Sequence, residues 1–145
     1  MIFSFKQFIV KTTLVAVLVA MGFQAKAQTN SQSTRYNYFF LEAIRQQEMG
    51  NLAAAFDLLR HARDINPNAP EVYYELAGYY VEMQNNKAAR YNFERAAELA
   101  PDNPAYLEKL GQFYISQANY EQALAAYERL YANNKTREDV LQILY

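Results

Sequence analysis

The chain repeats itself every thirty-four residues. Pro67 recurs as Pro101, Ala62 as Ala96, Leu76 as Leu110 and Tyr80 as Tyr114, while Ala55 recurs as Ala89 and again as Ala123. Within one period the apolar spacing is helical and leaves room for two helices of about fourteen residues each. A hairpin that short cannot bury its apolar stripe alone, so successive hairpins must stack and bury it against one another. The expectation is an all-α repeat protein, and no strand pattern competes with it.

The register follows from the turn residues. Starting at Tyr36, the first unit covers residues 36–69, the second 70–103 and the third 104–137, and residues 138–145 open a further helix. Pro70 and Pro104 suit a first helical position, where the missing N–H costs nothing, and Asn103 is a good N-cap before Pro104. Inside the units, Gly50 can adopt the left-handed backbone that ends a helix. Gln84-Asn85-Asn86 and Ala118-Asn119 take its place in the next two, with asparagine as the residue expected to tolerate that geometry. Thr136-Arg137-Glu138-Asp139 resembles a capping box. The apolar residues Val140, Leu141, Ile143, Leu144 and Tyr145 follow it, and two readings stay open for them. Either the chain is a fragment of a longer repeat array, or this end docks on a partner or a second copy.

The first residues are an address rather than a fold. Lys6 and Lys11 precede Thr12 to Phe23, an uncharged apolar stretch too short to favour a membrane span, for which roughly 18 residues are needed. Ala25-Lys26-Ala27 then offers small residues for cleavage. Residues 1–27 therefore read as a signal peptide cut after Ala27, for a periplasmic or secreted product. An uncleaved anchor would have to bury Lys11. Residues 28–35 are polar and read as a disordered leader. There is no cysteine, so neither a disulfide framework nor a lipoprotein attachment site exists. Three of the fourteen basic residues lie in the signal peptide, which leaves eleven against fifteen acidic ones in the mature chain. That balance disfavours nucleic acid as a partner.

The residues resemble the tetratricopeptide repeat (TPR). Tyr73, Leu76, Ala77, Tyr80, Ala89, Phe93, Ala96 and Pro101 carry the likeness in the second unit, and Asn86 departs from it. Leu107, Leu110, Gly111, Tyr114, Tyr120, Ala123 and Tyr127 carry it in the third, where Leu130 and Lys135 depart. The first unit has Phe39, Ala43, Leu52, Ala55, Leu59, Ala62 and Pro67, but Glu42 and Gln46 stand where leucine and tyrosine are expected. The resemblance implies a right-handed superhelix of antiparallel helix pairs, with about three TPR units and the start of a fourth. The physical basis is independent of the name. Ala77, Gly111, Ala55, Ala89 and Ala123 let backbones approach, and Phe93 and Tyr127 fill the space between hairpins.

The resemblance also implies that the first helix of each unit lines a concave groove. Its groove positions here are Asn37, Phe40, Ile44 and Gln47, then Glu71, Tyr74, Gly78 and Val81, then Ala105, Glu108, Gln112 and Ile115. The chaperone-binding members of the family use lysine and arginine at such positions to clamp a terminal carboxylate. This chain has none there. Phe40, Ile44, Gln47, Tyr74, Val81, Glu108, Gln112 and Ile115 instead make a partly apolar groove for a helix or an extended segment. The alternative is that the same residues contact the next helix or a missing repeat. Tyr79, Tyr91, Tyr106 and Tyr131 read as core or seam packing.

Nothing suggests catalysis. His61 is the sole histidine, so with no cysteine a His/Cys metal cluster cannot form. No nucleophile turn, phosphate loop or cofactor motif is present. Glu94 and Glu98 flank Arg95 as ordinary helix-surface charge. The reading is a non-catalytic protein–protein interaction module or scaffold of the cell envelope, which takes a protein or peptide partner. The alternative is the N-terminal part of a longer envelope enzyme, a peptidase or glycosyltransferase, whose catalytic domain lies beyond Tyr145.

Overall fold

The computed structural model describes residues 31–133, which form six helices and, among them, no strand. Helix α1 covers residues 31–48, and α2 (Leu52–Ile65), α3 (Pro70–Glu82), α4 (Asn86–Leu99), α5 (Pro104–Ser116) and α6 (Tyr120–Asn133) follow. Consecutive helices pair antiparallel across short turns, and the pairs stack as an all-α superhelix. The signal peptide, the capping box at Thr136 and the apolar Val140–Tyr145 end lie outside the described residues. Residues 31–35, expected to be disordered, are instead the first turns of α1. Long-range anchors explain the difference. Gln32 Nε2 donates to the Ile65 carbonyl at 2.6 Å, and Tyr36, 5% exposed, donates its hydroxyl to Glu71 Oε1 at 2.6 Å.

The helix ends show which local signals act. Asn103 caps α5 as its sequence implies, accepting from the Ala105 and Tyr106 amides at 3.0 and 3.4 Å, and Pro70 and Pro104 sit in the first turns of α3 and α5. The expectation for the inner turns needs correcting. Left-handed backbone falls on Gly50 (φ 80°), Gln84 (φ 57°) and Ala118 (φ 56°), not on the asparagines. These three positions are one repeat apart, so the stacking register fixes the site and tolerates a cost of about 1 kcal/mol at a non-glycine residue. The amides of Asn51, Asn85 and Asn119 each return to a carbonyl five residues back at 2.9 Å, closing the helix end. Asn85 then serves the next helix, its side chain accepting from the Ala88 amide at 3.1 Å.

The core is two overlapping clusters. One joins α1 to α4 through Tyr36, Ala43, Leu59, Val72, Leu76 and Ala96; the other joins α3 to α6 through Ala77, Phe93, Leu107, Leu110, Tyr114 and Tyr127. Tyr74 and Tyr80 touch both, so α3 and α4 transmit packing from one pair to the next. The odd residues of the first unit explain themselves. Half-buried Gln46 donates to Glu42 at 2.7 Å and accepts from Asn51 Nδ2 at 2.8 Å, while Arg45 pairs with Glu42. A polar network thus stands where the next unit has fully buried Leu76. Asn92 on α4 is a second exception. It is 3% exposed, donates to the Ala88 carbonyl at 2.8 Å, and its Oδ1 finds no protein donor. Its repeat equivalents are Leu58 and Ala126, so this amide carries a desolvation cost of about 1–3 kcal/mol that its counterparts avoid.

Candidate partner-binding face

The first helices of the three pairs lie next to one another. Tyr36 reaches from α1 to Glu71 on α3, and Tyr79 on α3 donates its hydroxyl to Gln47 on α1 at 3.4 Å. Tyr74 on α3 packs against Tyr106 of α5 with ring centres 5.1 Å apart and planes tilted by 34°. A continuous face results, and the eight residues expected to line it divide into two kinds. Val81 and Ile115, at 40% and 43% exposure, are open, as are Gln47 and Gln112. Phe40, Ile44, Tyr74 and Glu108 are half-buried. Phe40 stacks on Tyr36 at 5.8 Å, and Tyr74 lies edge-on to Phe93 at 6.3 Å, so part of each ring belongs to the core. Gln47 ties α1 to α3, and Gln112 donates to Glu108 one turn away at 3.3 Å.

Charge on this face is acidic on balance, most of all on α3. Helix α3 carries Glu71, Glu75 and Glu82 and no basic residue, and α5 adds Glu108 against Lys109. On α1, Arg35 and Arg45 balance Glu42 and Glu48 in number, and Arg45 is paired with Glu42. The basic side chains Arg60, Arg63, Lys87, Arg90 and Arg95 sit on α2 and α4. Glu75 was not a candidate from sequence, because helical spacing alone does not show that it is half-buried at the α1–α3 seam. Burial raises its carboxyl above the ordinary value, partly offset by a hydrogen bond from Gln47. Burial also raises the Tyr36 and Tyr106 hydroxyls, and the Glu71 charge adds to both.

A raised folded-state carboxyl gives a pH signature. Below the unfolded value of about 4.5 the Glu75 side chain is neutral in both states and its contribution to stability is complete. As pH rises through the folded value, the half-buried group must ionise and that contribution is lost. Glu75→Gln is therefore expected to melt higher than wild type at pH 7, with the gap closing below pH 4.5. Equal melting temperatures at both pH values would contradict the assignment.

The two helical glycines contrast. At Gly111 a Cβ would meet the Tyr127 ring at 2.7 Å, so close helix approach requires glycine there. At Gly78, in the interior of α3, a Cβ would meet nothing within 4 Å. Its repeat equivalents are Ile44 and Gln112, both with side chains. Glycine in a helix interior costs roughly 0.5–1 kcal/mol relative to alanine, and internal packing gives no return for it at Gly78.

Away from this face, among the described residues, the buried side-chain polar atoms are hydrogen-bonded except Asn92 Oδ1. A cleft of about 190 Å³ opens between α4, α5 and α6, lined by Glu94, Tyr114, Gln122 and Arg129 among others. There Tyr114 donates to Glu94 at 2.6 Å and Arg129 to the Ala97 carbonyl at 3.4 Å, which makes it a bridged seam. His61 is exposed and packs edge-on to Phe39 at 4.3 Å. Tyr79 and Tyr106 pack as expected, Tyr79 lying 5.7 Å from Phe56, and Tyr131 leans on the second cluster. Tyr91 does not. It is 58% exposed, because its position on α4 points away from both neighbouring pairs. Among the described residues no group of three or more His, Cys, Asp or Glu is placed to hold a metal ion, and no helix is long and apolar enough to cross a membrane.

Stacked helix pairs with one open, side-chain-lined face define a helical-repeat protein. Residues 70–103 and 104–136, the α3–α4 and α5–α6 pairs, match the family model for the tetratricopeptide repeat, and these two units are tetratricopeptide repeats. The α1–α2 pair precedes the matched units, in keeping with the polar Glu42 and Gln46. Among solved structures, the crystal structure of MamA superposes with a TM-score of 0.66 at 20% identity over 75% of this chain and 64% of that one. The first TPR of Spaghetti (RPAP3), bound to the HSP90 peptide SRMEEVD, also gives 0.66, at 17% identity over 77% of this chain and 89% of that one. The chain thus spans a little under two thirds of the MamA length, and at these identities the likeness establishes the fold alone. No curated protein matches the sequence.

Proposed function

We propose that the chain is a non-catalytic protein–protein interaction module or scaffold of the cell envelope, exported by a leader cleaved after Ala27. It holds a segment of a partner protein against the face made by α1, α3 and α5. The observation that carries this reading is that Val81 on α3 and Ile115 on α5 stand open on a face that also holds half-buried Phe40 and Tyr74, while most other large apolar side chains of α3 and α5 are packed away. Support comes also from the fold, which in the Spaghetti repeat accompanies a bound peptide. The absence of lysine and arginine from the groove positions argues against a clamp for a terminal carboxylate.

The test uses residues 28–145 as bait in an envelope extract, beside a Val81→Ser/Ile115→Ser double variant. Both side chains are exposed, so the variant should melt close to wild type, within roughly 0.5 kcal/mol per site. The expected result is a cross-linked partner captured by wild type and lost from the variant. An unchanged set of partners on the variant would refute the assignment of this face.

A further inference from the structure

We propose that Gly78 is the floor of a subsite for one bulky apolar side chain of a partner segment that carries lysine or arginine beside it. The inference rests on the partner-binding reading of the α1–α3–α5 face and specifies its occupant. Gly78 lies mid-helix, is exposed, and has open space where its side chain would be. The fold gains nothing from glycine there, in contrast to Gly111, where the Tyr127 ring demands it.

Helical spacing puts Tyr74 one turn before Gly78 and Val81 one turn after it on the same face. The bare backbone is thus flanked by an aromatic ring and an open aliphatic side chain, which together form an apolar notch. Equivalent positions on the neighbouring first helices carry Ile44 and Gln112, so the notch is confined to α3. Its surroundings are acidic. Glu71, Glu75 and Glu82 share α3 with it, and none of these three takes part in an ion pair among the described residues. The neighbouring Tyr74 and Tyr106 rings, 5.1 Å apart, offer further attraction to a cation. Charge complementarity therefore selects a basic segment over an acidic one.

The probe is a fluorescein-labelled hexapeptide, Lys-Lys-Leu-Phe-Lys-Lys, compared with Glu-Glu-Leu-Phe-Glu-Glu and Lys-Lys-Ser-Ser-Lys-Lys by anisotropy on residues 28–145. The lysine peptide with the Leu-Phe centre should bind best, and its binding should weaken with added salt. Gly78→Ala should melt about 4 °C above wild type. Gly78→Leu, which fills the notch with a good helix former, should keep the fold and weaken the Leu-Phe lysine peptide by about tenfold. Equal binding of the lysine and glutamate peptides overturns the proposal. So does the absence of saturable binding at about 1 mM, or wild-type affinity in Gly78→Leu. Binding lost in Val81→Ser/Ile115→Ser but retained in Gly78→Leu would leave the face intact and remove only the subsite.

Discussion

Phe93→Ala should cost the stack about 3–5 kcal/mol, the largest loss expected from any single truncation. Phe93 is 4% exposed at the centre of the second core cluster. Its ring lies 5.4 Å from Phe113 on α5 and 6.3 Å from Tyr74 on α3, so it fills the wedge between two hairpins. The neighbours are held by their own helices and cannot collapse into the space. Leu59 and Tyr127 occupy the equivalent places one repeat before and after, and both are also buried. The loss is read as a lower urea midpoint with far-UV circular dichroism still helical before the transition. A midpoint within experimental error of wild type would contradict the packing described here.

Gly111→Leu is the second large effect, and its sign is informative beside Gly78→Leu. Even an added Cβ at Gly111 would stand 2.7, 2.9 and 3.1 Å from three atoms of the Tyr127 ring. That ring is 2% exposed and has no room to withdraw. Overpacking of this kind costs about 1–3 kcal/mol, with a full leucine at the upper end, and outweighs the gain of about 1 kcal/mol from removing a helical glycine. Thermal melts of the two leucine variants should therefore move in opposite directions, or at least separate clearly. Trimming Tyr127 to alanine in the Gly111→Leu background should restore part of the loss, because the clash disappears. Additive losses in that double variant would place the strain elsewhere.

Much of the fold was legible in the residues. The thirty-four-residue period, Pro70 and Pro104 as helix starts and Asn103 as a cap are local signals, and each acts in the structure as its chemistry implies. Where local preference met register, register prevailed. Gln84 and Ala118 take left-handed backbone although an asparagine follows each, because the helix pair closes at a fixed distance from the core. Residues 31–35 read as polar and structureless, yet Gln32 and Tyr36 find partners on α2 and α3 that no local window contains. The candidate face was legible only as a list of positions. Sequence gave no way to separate Val81, which is open, from Tyr74, whose ring is shared with the core.

The architecture is written in the residues: a period of fixed length, small residues where backbones meet, and turn formers between helices leave stacking as the one way to bury the apolar stripes. The character of the exposed face comes from packing between the pairs. Whether a residue in a helix is wall, floor or core depends on what the neighbouring pair places opposite it. Gly78 and Gly111 are the same residue in adjacent helices, and the Tyr127 ring, present at one and absent at the other, makes the first an opening and the second a seam.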